Sequence, residues 1–252
     1  MSAHKKNRAG EIYKLNCGAN AKIIEYYNCN NCTILIMETN EIFKNIALKH
    51  LKSGNLKSYF YPTVERVGYI GNNFEENDSK TKCYNTWRGM LVRCYDKEYQ
   101  YKKPTYKNCR VCEEWHNFSN FKKWYYENYY QIDDDIMQID KDILKKGNKI
   151  YSPNTCVFVN NKINSIFTKH DGERGEYPIG VFKRENGKFG ASVSIDGKQH
   201  KLGAFDTVEE AFNSYKIAKE NEIKRIADYY KENIPNKLYL AMYNWKVEIV
   251  VL

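Results

Sequence analysis

The chain has 252 residues, long enough for two or three domains, and carries 40 Lys and Arg against 31 Asp and Glu for a formal charge of +9. That balance favours a polyanionic partner such as nucleic acid, the bland alternative being a basic surface kept for solubility, and an aromatic content of 15%, with 22 Tyr, argues against a disordered chain. The opening MSAHKKNRAGEIYKLN lacks the apolar core of a secretory signal, and no stretch approaches the ~20 apolar residues of a membrane span, so a soluble intracellular protein with no membrane partner is expected.

In chain order, the first block, residues 1–75, reads as a small β-rich module. Strands are predicted over 21–27 and 33–38, around the Asn-rich turn at 28–31. The basic segment LKHLKSGNLKSYFYP follows, with Gly54 as its turn. Lys49, Lys52, Lys57 and Arg66, interleaved with Tyr59, Phe60 and Tyr61, suit either a phosphate-tracking surface or a solvated basic loop. The second block, 80–168, opens with a helix marked by Trp87, Met90, Leu91 and Cys94 at spacings of three and four. A second helix is predicted over 118–130, with Phe118, Phe121, Trp124 and Tyr125 on one face, and the acidic run 133–135 ends it. Residues 137–167 then read as strand, loop, strand, helix. A polar linker at 169–176 leads to the third block, 177–227, and residues 228–252 read as a tail.

The third block reads YPIGVFKRENGKFGASVSIDGKQHKLGAFDTVEEAFNSYKIA. Asn-Gly and Asp-Gly are hairpin turns because both positions tolerate positive φ. They separate three strands, 179–184, 189–195 and 199–205. Asp206 and Thr207 then cap a helix whose apolar face, Ala211, Tyr215 and Ala218, should cover one side of the sheet. The other side is predicted to carry Arg184, Lys188, Ser192, Ser194, Lys198 and Lys201, which suit phosphates and base edges of double-stranded DNA; the alternative is a solvated basic face. The pattern Gly180-Val181, Arg184, Gly187-Lys188, Ala191, Gly197-Lys198, Leu202-Gly203, Phe205-Asp206-Thr207, Glu209-Glu210-Ala211 and Tyr215 resembles the ethylene-response-factor (apetala-type) DNA-binding domain over about 45 residues. The resemblance implies a three-stranded sheet in the major groove. The tryptophans of many plant members are absent, and Phe189 stands at one such position.

The chemistry-bearing segment is IDKDILKKGNKIYSPNTCVFVNNKIN, residues 139–164. Asp140 and Asp142 flank Lys141 where a strand should end, a Gly-Asn turn follows, and 156–159 reads as a second strand leading into a helix. Carboxylate and amide oxygens suit a hard cation. This segment resembles the HNH-type (ββα-metal) endonucleases of phages, including homing endonucleases, and the run WRGMLVRCYDKEYQYKKPTYKNCRVCEEWHNFSNF resembles the front of such proteins. The resemblance implies Asp140 and Asn164 as metal ligands for Mg2+ or Mn2+, Lys141 at the position of the general-base histidine, and Gly147-Asn148 as the loop, with Asn148 beside the chemistry. It also implies a bacterial host cytoplasm. A solvated lysine is a poor base at neutral pH. Three readings therefore stand: Lys141 is an unusual base or an electrostatic stabiliser, Asp142 is the base, or the site is inactive. A lone His116 reads as structural or exposed, and His170 and His200 as linker or surface residues.

In an intracellular protein the 8 Cys are reduced thiols or metal ligands. Cys94, Cys109, Cys112 and Cys156 share the second block and form a candidate structural Zn2+ set, although Cys94 and Cys156 also fit ordinary apolar burial. The fold class expected is α+β and multidomain: a small N-terminal β module, a central ββα-metal core and a C-terminal three-stranded sheet plus helix. The function expected is site-recognising, metal-dependent cleavage of double-stranded DNA. The alternatives are a catalytically inactive DNA-binding protein on the same scaffold, or an inhibitor of a nuclease or defence complex.

Overall fold

A computed structural model describes residues 7–72, 74–168 and 176–249. Its strands are β1 (Ile12–Lys14), β2 (Asn20–Asn28), β3 (Asn31–Ile36), β4 (Ile42–Ile46), β5 (Arg110–Val111), β6 (Gln138–Asp140), β7 (Ile150–Tyr151), β8 (Val157–Val159), β9 (Val181–Lys183), β10 (Phe189–Ile195) and β11 (Lys198–Phe205). Its helices are α1 (Leu48–Lys52), α2 (Lys82–Tyr95), α3 (Lys97–Lys102), α4 (Phe118–Asn128), α5 (Asn161–Phe167), α6 (Val208–Tyr230) and α7 (Asn236–Tyr243). The mixture of helices with several small sheets is the expected α+β class. Among the described residues no helix is long and apolar enough to cross a membrane.

The chain divides into two compact units, 1–127 with 149–152, and 128–148 with 153–252. The division runs through residues 80–168. Strand pairing explains it: β7 pairs parallel with β5, whereas β6 and β8 pair antiparallel with each other.

In the first unit, β1 to β4 form an antiparallel sheet in sequence order. Alternate residues of its central strands point inward, so Ala21, Ile23, Ile34 and Ile36 are buried with Leu48 and Leu51 of α1. Tyr61 is partly buried against the same core. Further along, Trp87, Phe118 and Tyr84 stack edge to face or tilted, as do Trp115, Phe121 and Trp124. The Trp87 indole donates to the Trp115 carbonyl at 2.7 Å. His116 Nε2 lies 3.3 Å from Tyr95 Oη and 3.2 Å from the Val111 carbonyl, a structural placement.

In the second unit, β6 and β8 form a hairpin-like pair, and α5 begins immediately after β8. The C-terminal sheet has the order β11-β10-β9. Both its turns lie where expected: Asp196 and Gly197, at φ 47° and 77°, make the tight Asp-Gly turn, whereas in the Asn186-Gly187 turn only Gly187, at 81°, takes a positive φ. Thr207 caps α6 through a capping box: its hydroxyl accepts from Glu210 N at 3.2 Å, and the Glu210 carboxylate accepts from Thr207 N at 3.1 Å. Ala211 and Tyr215 then bury against Ala191 and Val193. Gly180, at φ 80°, lies so close to the Tyr215 ring that a Cβ there would come within 2.1 Å of it, which ties those two positions of the motif together. The expected tail is corrected. α6 continues to Tyr230, and α7 folds back with Leu238 and Met242 fully buried, because their i, i+4 spacing gives an apolar stripe. Of the expected linker, 169–175 and with it His170 lie outside the described residues.

Candidate functional site

β6 positions the leading carboxylate. Asp140 is its last residue, and Oδ1 accepts from Asp142 N at 2.8 Å and Ile143 N at 2.7 Å, so the aspartate caps the turn that leaves the strand. Oδ2 takes no hydrogen bond among the described residues. Burial, reinforced by the nearby Asp142 carboxylate, raises the Asp140 pKa to about 6. Lys141 is buried, and its ammonium lies 3.1 Å from Asp142 Oδ2, whose carboxylate is half-exposed. The geometry thus makes Lys141 a cationic partner of Asp142. An ammonium so paired is a donor, not a proton acceptor.

The connection from β6 is closed by Asn148, whose side-chain amide donates to the Lys141 carbonyl at 2.7 Å, and Gly147 supplies the positive φ of 76° that the turn requires. Asn148 therefore holds the backbone of the site. Asn164 lies on α5, and its Nδ2 donates to Gln138 Oε1 at 2.9 Å, leaving Oδ1 as an oxygen donor. Gln138 and Asp140 are two apart on β6 and share a face. Gln138 also donates to Asn161 Oδ1 at 2.5 Å, so it joins α5 to the face that bears Asp140. Sequence reasoning missed Gln138, although the i, i+2 spacing from Asp140 marks it. It also missed Asn160, which is fully buried, caps α5 through Ile163 N at 2.9 Å and donates to Asp135 Oδ2 at 2.8 Å.

The donors fit a hard cation in kind: Asp140 Oδ2 and Asn164 Oδ1 offer oxygen only. Among the described residues no group of three or more His, Cys, Asp or Glu side chains is gathered to hold a metal. Cys94, Cys109 and Cys156 are buried, Cys112 is half-buried, and burial raises the Cys112 pKa. Cys109 and Cys112 sit at the two ends of β5, and Cys112 N donates to the Tyr151 carbonyl at 2.9 Å, so this CxxC spans a strand.

The sheet face away from α6 follows from register. Ser192 pairs with Lys201 and Ser194 with Gln199, whereas Ala191 and Val193 point to the core. Phe182 lies over Gly190 on the same outer face, and the alternation puts Arg184 and Lys188 there too. Lys188 makes an ion pair with Asp206 at 2.9 Å. Lys198 is corrected. It pairs with Ile195, which packs toward the helix side, so it does not share the face of Lys201. Gln199, not singled out from the sequence, takes that place.

No protein-family model, curated protein or solved structure matches this chain.

Proposed function

We propose that this chain is a metal-dependent DNA endonuclease of the ββα-metal kind, with the β9–β11 sheet as its reader of double-stranded DNA. The observation that carries the reading is local. A carboxylate ends β6, β8 runs antiparallel beside it, α5 follows at once, and Gln138, two residues before Asp140, bonds Asn164 and Asn161 of α5. Asp140 and Asn164 would hold a magnesium or manganese ion, which when bound would polarise the phosphodiester. Asp142 is the general base: it is half-exposed, an oxygen acceptor, and held by Lys141. Lys141 keeps a positive charge beside the reacting phosphate and offsets the charge that builds up there. Asn148 fixes the Lys141 backbone. The outer sheet face, with Arg184, Lys188, Ser192, Ser194, Gln199 and Lys201, supplies cations and hydroxyls for phosphates and base edges.

A second reading, a DNA-binding protein with an inactive site, draws on one specific observation: Asp140 Oδ1 is committed to two backbone N–H groups. Plasmid cleavage with Mg2+ or Mn2+, with chelator, and with Asn164→Ala separates the two. Metal-dependent nicking or linearisation lost in the variant supports the nuclease. Absence of cleavage on plasmid and genomic DNA, with duplex binding retained, refutes it in favour of the binding protein.

A further inference from the structure

The connection between β6 and β8, which carries Lys141, Asp142 and Asn148, is gripped from outside. The Lys146 ammonium donates to the Lys246 carbonyl at 2.8 Å and to Glu248 Oε2 at 2.7 Å, and it lies 5.6 Å from the centroid of the Trp245 ring. Trp245 in turn meets Phe167, the last residue of α5, edge-on at 4.6 Å between centroids. The same four-residue stretch is anchored on its other side to the reader. Val247 N donates to Glu220 Oε1 of α6 at 2.9 Å, the Val247 side chain packs against the sheet core, and the Lys246 ammonium lies 3.5 Å from Glu220. At the opposite end of α5, Lys162 pairs with Asp196 of the β10–β11 turn at 3.2 Å, and Asp196 also takes Arg225 of α6 at 2.9 Å.

We propose that residues 245–248 form a clamp that fixes the β6–β8 connection and α5 to the DNA-reading sheet, so that the cut falls at a constant distance from the bases the sheet contacts. The second half rests on the nuclease reading; the clamp itself does not. An unclamped connection of about eight residues would have an end-to-end spread of roughly 15 Å. At about 3.4 Å per base pair, that spread would scatter cuts over roughly four positions. Two independent attachments, Lys146 to the clamp and Lys162 to the turn, remove that freedom.

The test uses the full chain with Lys146→Glu, with the reversed pair Lys146→Glu plus Glu248→Lys, and with Trp245→Ala. Amide hydrogen exchange is read first, because it needs no cleavage. Losing one ion pair, one hydrogen bond to the Lys246 carbonyl and one cation–aromatic contact should speed exchange at 141–149 about ten-fold or more while β10 amides keep their rates, and the reversed pair, which restores the ion pair alone, should recover part of it. Unchanged exchange at 141–149 in both Lys146→Glu and Trp245→Ala overturns the clamp. Cut positions are then mapped on one preferred site: a single position for the native chain and several for Trp245→Ala are expected. A single unchanged position in a variant whose exchange is faster overturns the fixed-distance half. If the native chain binds but cuts nothing, the nuclease reading falls, and the exchange result alone decides the clamp.

Discussion

Replacing Asp140 by Asn should stabilise the metal-free protein at alkaline pH and leave it unchanged in acid. Burial and the neighbouring Asp142 raise the Asp140 carboxyl from 3.8 to about 6 in the folded chain. Between those two values the folded state holds a proton that the unfolded state has lost, so stability falls as pH rises through this window. The contribution is fully present below 3.8 and gone above about 6. A shift of that size corresponds to about 3 kcal/mol. Asparagine never ionises, and its side-chain oxygen can still accept from the Asp142 and Ile143 amides. Urea unfolding in the presence of chelator should therefore give nearly equal stabilities at pH ~3 and an advantage for Asp140→Asn of up to about 3 kcal/mol near pH 8. Titrations of groups that do not interact with Asp140 cancel in the difference between the two proteins. Added Mg2+ should reverse the order at high pH, because a cation favours the carboxylate. A variant that is less stable by the same amount at both pH values would refute the reasoning, since Asp140 would then act only as a turn cap.

Two other measurements probe the reader. Lys201→Ala should lower the slope of log affinity against log salt by about 1, whereas Lys198→Ala should leave it nearly unchanged, because register turns Lys198 to the helix side. Binding titrations of a duplex at several salt concentrations check both, and equal effects would show that the outer face is not the contact. Leu238→Ala should cost roughly 2–5 kcal/mol, as for a fully buried leucine, and the same urea assay measures it; a loss near zero would return residues 228–252 to a tail.

How far the fold is legible in the sequence depends on the range of the signal. The turns at Gly187 and Gly197 and the cap at Thr207 are local, since dihedral preference and one hydrogen bond decide them, and all three are found where the residues predict. Pairing over long separations is different. Nothing in Arg110–Val111 marks it as the partner of Ile150–Tyr151, yet that short parallel pair moves 149–152 into the first unit. The extension of α6 past 227 was hidden for another reason. Ile223, Ile226 and Tyr230 continue its apolar stripe, but the stripe needs α7 to bury against, and an exposed Tyr229 beside it blurs the pattern.

In the candidate site the spacing rules carry most of what is legible. Asp140 and Gln138 are two apart on a strand and share a face; Lys198 and Lys201 are three apart and cannot, whatever their charges suggest. A bulge at Leu202 and Gly203 then restores Phe205 to the core side, so a charged face and a buried edge coexist on one strand. Lys141 shows where spacing stops. The sequence gives a lysine between two aspartates and cannot say which one it serves, because adjacent residues do not fix side-chain direction. In the folded chain it pairs with Asp142, while Asp140 turns back to cap its own backbone. That division leaves one carboxylate raised in pKa with an oxygen to spare and the other held beside a cation.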